Sequence, residues 1–113
     1  MRLIYTAFVT LDGVVEGPGH DEHRDGRNAW ALRRQDAEHQ AWNVELALGA
    51  DALLLGRRTY QTWAAFWPTA PESPLKDKLN SMPKFVASRT LDRADWPNTT
   101  ILSGDVAAEV AAI

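Results

Sequence analysis

The chain predicts an α/β layer fold with a central, mainly parallel sheet flanked by helices, and three observations carry that expectation. Ala52 to Leu55 is an apolar run without alternation, the pattern of a strand covered on both faces, as parallel strands are. Stretches with helical spacing separate such runs, so strands and helices alternate along the chain. Three short turns rich in Gly, Ser, Thr and Arg follow the runs: Thr10 to Gly13, Gly56 to Thr59 and Ser88 to Thr90. In a parallel sheet ligands gather at the strand carboxyl ends, where these turns are expected to converge.

The elements follow in order. Residues 2 to 9 put apolar atoms on both faces through Leu3, Ile4, Ala7, Phe8 and Val9, which predicts a central strand. Thr10-Leu-Asp-Gly13 breaks it, and residues 14 to 29 have the composition of a long exposed loop. From about Ala29 to Leu48 the pattern is helical, with Trp30, Ala37, Ala41, Val44 and Leu48 spaced by three, four or seven and Gly49 as terminator. A strand over 51 to 55 leads into a short helix over 57 to 66, whose Tyr60, Trp63 and Trp67 share a face and which Pro68 stops. Residues 68 to 83 carry four of the six prolines and read as a surface connection with one helical turn over 75 to 80. Lys84 to Ser88 and Thr99 to Leu102 are two further strands, with a loop between them, and Val106 to Ile113 is a last helix. That helix reaches the final residue without a glycine cap or a basic residue, which reads as an interrupted chain.

Composition bounds the function. At 113 residues with 45% hydrophobic content, residues 1 to 113 form a single domain able to bury a core without covalent staples. The absence of cysteine excludes disulfides, thiol catalysis and cysteine metal sites, and agrees with a cytoplasmic location. The apolar start is too short, and too soon interrupted by Asp12, for a signal peptide or a membrane span, so no membrane partner is expected. A net charge of -3 without a basic run gives no electrostatic footprint for nucleic acid.

The turn after Leu55 is the most informative site. Gly56 lets the backbone turn sharply or approach a ligand. A helix beginning at Arg57 would aim its free N–H groups and positive dipole end at that ligand, with Arg57, Arg58 and the Thr59 hydroxyl adding donors. An anion such as a nucleotide phosphate is the natural guest; the competing reading is a solvated turn in which Thr59 caps the helix.

Other constellations are weaker. His20-Asp-Glu-His23 brings two histidines and two carboxylates together, but a charged loop with Arg24, Asp25 and Arg27 fixes no coordination geometry, so no metal is expected. Gly17-Pro-Gly19 lacks the third glycine of a dinucleotide fingerprint, and no Gly-Lys-Ser/Thr phosphate loop is present. The five tryptophans, Trp30, Trp42, Trp63, Trp67 and Trp96, read as core or interface anchors rather than base-stacking platforms.

Taken together, Phe8-Val-Thr-Leu-Asp-Gly13, Glu16-Gly-Pro18, Leu53-Leu-Leu-Gly-Arg-Arg-Thr-Tyr60, Trp67-Pro68 and Lys84-Phe-Val-Ala-Ser-Arg-Thr-Leu91 resemble the dihydrofolate reductase-like family. The branch is that of the riboflavin-biosynthesis reductase, the C-terminal domain of the bacterial bifunctional deaminase-reductase. The resemblance implies a dihydrofolate reductase-like fold, commonly a homodimer, and an NADPH-dependent reductase acting on a pteridine-like or pyrimidine-like heterocycle, the type reaction being reduction of a ribosylamino-pyrimidine phosphate. It places Ala7 and the Gly56-Arg57-Arg58-Thr59 turn on the cofactor, the latter at its phosphates. It also sets Ser88, Arg89 and Thr90 beside the adenosine 2′-phosphate, which the planar fork of an arginine suits. Thr10 and Asp12 would face the substrate, with Asp12 binding a substrate N–H or, if desolvation raised its pKa, assisting protonation. The plainer alternative is an aspartate capping a turn before glycine. Hydride transfer asks little of side chains beyond orienting donor and acceptor.

The sequence departs from that branch in one respect. Relatives usually continue past the position of Ile113, with a Gly-Gly turn touching the cofactor pyrophosphate and more strands, and no Gly-Gly pair occurs here. The expectation is a partial domain, whether a fragment, the product of a frameshifted gene or a partner-completed subunit, with one sheet edge unpaired unless a second chain or a helix covers it. A non-catalytic dimerising or nucleotide-binding module is the alternative function.

Overall fold

The computed structural model describes residues 2–17, 30–31 and 34–113. They fall into two compact units, Met1–Ala41 and Trp42–Ile113. The elements are α1 (Ala37–Leu48), β1 (Leu53–Gly56), α2 (Arg57–Phe66), a 3-10 turn (Trp67–Thr69), α3 (Pro74–Ser81), β2 (Lys84–Ala87), β3 (Thr99–Leu102) and α4 (Val106–Ala111). The α/β expectation holds: β1, β2 and β3 form a parallel sheet in that order, flanked by helices, with Leu53 opposite Lys84 and Lys84 opposite Thr99. Parallel neighbours need a crossover, and α2, the 3-10 turn and α3 supply the one between β1 and β2.

In the second unit the core forms where the sheet meets these helices. Leu55, Tyr60, Leu79, Met82, Val86 and Trp96 are buried together, with Leu53, Trp63, Trp67 and Leu75 packed against them. Each such side chain contributes about 1.5–3 kcal/mol relative to exposure. Tyr60 and Trp96 do more than fill space. The Trp96 backbone N–H donates to the Tyr60 hydroxyl (3.1 Å), its indole N–H donates to Asn80 Oδ1 (2.7 Å), and the Asn80 amide donates to the Trp67 carbonyl (3.1 Å). One polar chain therefore ties α2, α3 and the loop before β3 with every member satisfied.

Lys84 opens β2 fully buried, without a carboxylate. Its ammonium donates to the carbonyls of Met82 (2.7 Å), Pro97 (2.9 Å) and Asn80 (3.2 Å), and lies 4.5 Å from the Trp96 ring centroid. Three protons meet three carbonyls, two of them at the carboxyl end of α3, where orphan C=O groups and the helix dipole favour a cation. Burial pushes the lysine below its ordinary 10.5, against these contacts.

Local chemistry sets most boundaries. Ser73 caps α3, accepting from the Lys76 N–H (3.1 Å), and Pro74 occupies the first turn where its missing N–H costs nothing. Asp105 caps α4 by accepting from the Ala107 and Ala108 N–H groups (3.1 and 3.2 Å). Asn98 takes a left-handed φ of 60°, which its side chain tolerates, and its amide donates to the Ser81 carbonyl (2.7 Å).

Two expectations are corrected. Residues 2 to 9 form no strand: Leu3, Ile4, Tyr5 and Val9 are exposed, and among the described residues nothing pairs with their backbone. An apolar pattern on two faces shows that a segment profits from burial, but a strand also needs a neighbour for its N–H and C=O groups. The first helix begins at Ala37 rather than near Ala29, because Asp36 accepts from the His39 N–H (2.8 Å) and starts it there. Its end before Gly49 is as expected. The strand expected over 51 to 55 runs from Leu53 to Gly56.

Candidate functional site

Because the three strands are parallel and in register, their carboxyl ends lie in a row: Gly56 opposite Ala87, and Ala87 opposite Leu102. Neighbouring strands are about 4.8 Å apart, so the chain leaves the sheet side by side at Arg57, Ser88 and Ser103. Two of the three expected turns therefore stand together.

Gly56 is both the last residue of β1 and the N-cap of α2. Its φ of -80° and ψ of 161° suit any residue, so the sharp turn expected of glycine is not the reason for it. The space is: a Cβ built there meets nothing within 4 Å. No side chain caps α2, and its first turn holds no acidic residue. The reading of Thr59 as the helix cap is thereby overturned, since Thr59 sits at the third helical position. Arg57, Arg58 and Thr59 are exposed, and among the described residues the Arg57 guanidinium reaches Gln61 Oε1 on its own helix alone (3.3 Å). The result is a helix start with free donors, two cations and room in front of them.

At the end of β2, Ser88 is committed to the backbone. Its N–H donates to the Leu102 carbonyl (3.0 Å), while its hydroxyl accepts from the N–H groups of Thr90 (3.2 Å) and Leu91 (3.0 Å). The side chain thus fixes the turn that presents Arg89 and Thr90, both exposed. Arg89 lines a cavity of about 590 Å³ with Ser103, Gly104, Asp105, Val106 and Ala107. The sequence reading had Ser103 to Asp105 only as a helix start. Nothing local marks it otherwise; β2–β3 pairing brings it beside Arg89.

The Thr10–Gly13 turn belongs to the first unit and is closed on itself. Thr10 exchanges backbone bonds with Gly13 and Val14 (each 3.0 Å), its hydroxyl accepts from the Val14 N–H (2.8 Å) and donates to Asp12 Oδ1 (2.5 Å), and Gly13 has a φ of 88°. Here glycine is required by conformation. The Thr10 hydroxyl, and then the Asp12 backbone, hold the Asp12 carboxyl below its ordinary 3.8. The condition for Asp12 to assist protonation, a pKa raised by desolvation, is not met in this exposed carboxyl, while its ionised form is the one that would accept from a substrate N–H. Thr10 follows no strand, so the Thr10–Gly13 turn does not stand at a strand end as expected.

The sequence profile of the RibD C-terminal domain matches residues 1–112. The chain belongs to the RibD C-terminal domain family. No curated protein matches it. The three-stranded parallel sheet agrees with the dihydrofolate reductase-like fold of the RibD C-terminal domain. The five segments that suggested the resemblance all lie within the matched span.

Other expected sites stand as follows. His20 to His23 lie outside the described residues, as do Pro18 and Gly19. Among the described residues no cluster of three metal-ligating side chains occurs, and no helix is long and apolar enough to cross a membrane. Of the five tryptophans, Trp96 is core, Trp63 and Trp67 pack against it, and Trp42 is exposed.

Proposed function

We propose that the chain binds NADPH and acts as a reductase of a pteridine-like or pyrimidine-like heterocycle, in the manner of riboflavin-biosynthesis reductases. The observation that carries this reading is the open space at Gly56 in front of the uncapped, acid-free start of α2. A diphosphate fits that place, because backbone N–H groups, the dipole and the Arg57 and Arg58 guanidiniums all offer positive charge, and a side chain at residue 56 would fill the room it needs. Arg89 and Thr90, on the turn fixed by Ser88, suit the 2′-phosphate that distinguishes NADPH from NADH. Bound NADPH supplies the hydride.

The remaining work falls to orientation. Asp12, ionised, can accept a hydrogen bond from a substrate N–H and so align a heterocycle, whereas the reaction's proton must come from solvent or substrate. That assignment needs Ala7, Thr10 and Asp12 to reach the cofactor's reactive ring. The ionised state of Asp12 also suits the second reading, a nucleotide-binding module without turnover.

Fluorescence titration of the full chain with NADPH and NADH tests the proposal. NADPH should bind more tightly than NADH, and its affinity should fall with added salt, as expected for exposed arginines on phosphates. Equal affinity for both would remove the role given to Arg89. Consumption of NADPH with a pterin or aminopyrimidine identifies an enzyme, while tight binding without consumption by any such heterocycle identifies the module.

A further inference from the structure

We propose that Tyr60 is a positioning residue of the cofactor site, whose buried hydroxyl holds the Arg89 turn in place against the cationic start of α2. This role rests on the function proposed above and deepens it, because it names what lets the site choose a dinucleotide with a 2′-phosphate over one without it. Such a ligand needs two elements at once. Its diphosphate would lie at Arg57 and Arg58, beyond the end of β1, and its 2′-phosphate at Arg89, beyond the end of β2. Both places belong to the second unit.

Tyr60 lies three residues past Arg57 on α2 and is 4% exposed. A buried phenol hydroxyl calls for a hydrogen-bond partner, and this one finds it outside its own helix. It accepts from the Trp96 backbone N–H (3.1 Å), 36 residues further along the chain. Trp96 sits in the connection over residues 88 to 98 that joins β2 to β3 and opens with the Arg89 turn. That connection is fixed at its start by the Ser88 hydroxyl, which accepts from the Thr90 and Leu91 N–H groups. Along its length Leu91 and Ala94 pack on the core that contains Tyr60 and Trp96. Among the described residues, the Tyr60–Trp96 bond is the hydrogen bond that joins α2 to this connection. Its donor is backbone, so it fixes the main chain rather than a side chain free to swing. The aromatic rings, with centroids 6.3 Å apart, would still meet if residue 60 were phenylalanine, which makes the hydroxyl separable from the packing. An arginine already held where a phosphate will sit needs little ordering on binding, whereas a loosened turn must be ordered at the expense of affinity.

Fluorescence titration of Tyr60→Phe with NADPH and NADH tests this role. NADPH affinity should fall about 2- to 10-fold, the effect of ordering one loosened side chain, while NADH, without a phosphate for Arg89, should stay within about twofold of the parent. In an Arg89→Ala background the same substitution should change neither affinity, since the group it positions is gone. Asn80→Ala weakens the same core by removing the acceptor of the Trp96 indole, and it should leave the ratio of the two affinities unchanged. A merely structural hydroxyl would lower both affinities alike through the folded fraction, and that result overturns the proposal. So do an unchanged NADPH affinity in Tyr60→Phe, a loss that persists in full without Arg89, or a ratio that Asn80→Ala lowers as much. A parent chain that binds neither dinucleotide, or both equally, withdraws the site and the role of Tyr60 together. A parent and a Tyr60→Phe variant that prefer NADPH to the same degree leave the site standing and remove Tyr60 alone.

Discussion

Leu53, Leu54 and Leu55 become a strand, whereas Leu3, Ile4, Phe8 and Val9, of similar apolarity, do not. The difference lies outside both segments. Leu53 to Gly56 align with Lys84 to Ala87, so every step of β1 has a backbone to bond and a core to cover Leu55. Residues 2 to 9 have neither among the described residues. The two turns that follow these segments contrast in the same way. Thr10 to Gly13 spends its donors on itself, while the start of α2 after Gly56 leaves its donors free. Self-satisfaction closes a turn on itself, and free donors leave a helix start that can take a partner.

The sharpest way to break the contrast is to attack the core that β1 has and residues 2 to 9 lack. Trp96→Ala should cost about 3–5 kcal/mol by urea unfolding, because it empties a buried site and strands the Tyr60 and Asn80 partners. A loss below about 1 kcal/mol would mean that this core does not hold the sheet. Lys84→Met should cost less, about 1–3 kcal/mol, through three carbonyls left without a donor.

Lys84 also gives a pH signature. Its folded pKa is below 10.5, so the unfolded chain binds more protons between the two values and stability rises with pH across that window. Comparing urea midpoints of parent and Lys84→Met from neutral pH to about pH 10 should show the slope only in the parent. An equal slope in both would place its origin elsewhere.

Smaller effects sharpen the comparison of the turns. Gly56→Asp, which fills the open space with a negative charge, should weaken NADPH binding at least about tenfold, near 1.4 kcal/mol, and Arg57→Glu should act in the same direction. Unchanged affinity in both would withdraw the phosphate site. Leu11→Ala, at a fully exposed side chain in the self-satisfied turn, should leave stability within about 0.5 kcal/mol. A larger loss in thermal unfolding would mean that something covers residue 11.

Much of this was legible residue by residue. Pro68 and Pro74, Gly49, and the three-and-four spacing of Tyr60, Trp63 and Trp67 act within a turn or two of themselves, so α2, α3 and the end of α1 follow from the sequence. The Gly56 turn was legible because a strand end and a helix start adjoin there. Its glycine kept two readings, a sharp turn or room for a ligand, since the sequence cannot distinguish a residue needed for its φ from one needed for the room it leaves. Lys84 gave no signal: its acceptors are the carbonyls of Asn80, Met82 and Pro97, and every residue type has a carbonyl. The sequence left the state of Asp12 conditional, because it depends on burial and on where the Thr10 hydroxyl points.

By itself the sequence determined the α/β class, the family, the places of the later helices and the strand-to-helix turn at Gly56, because local periodicity and turn chemistry act over a few bonds. Only the tertiary structure decided which apolar segments become strands, what a buried lysine bonds, and that Arg57, Ser88 and Ser103 leave the sheet side by side. Those outcomes depend on which backbones, far apart in the chain, come to lie about 5 Å from one another, and a pattern within one segment carries no record of its partner.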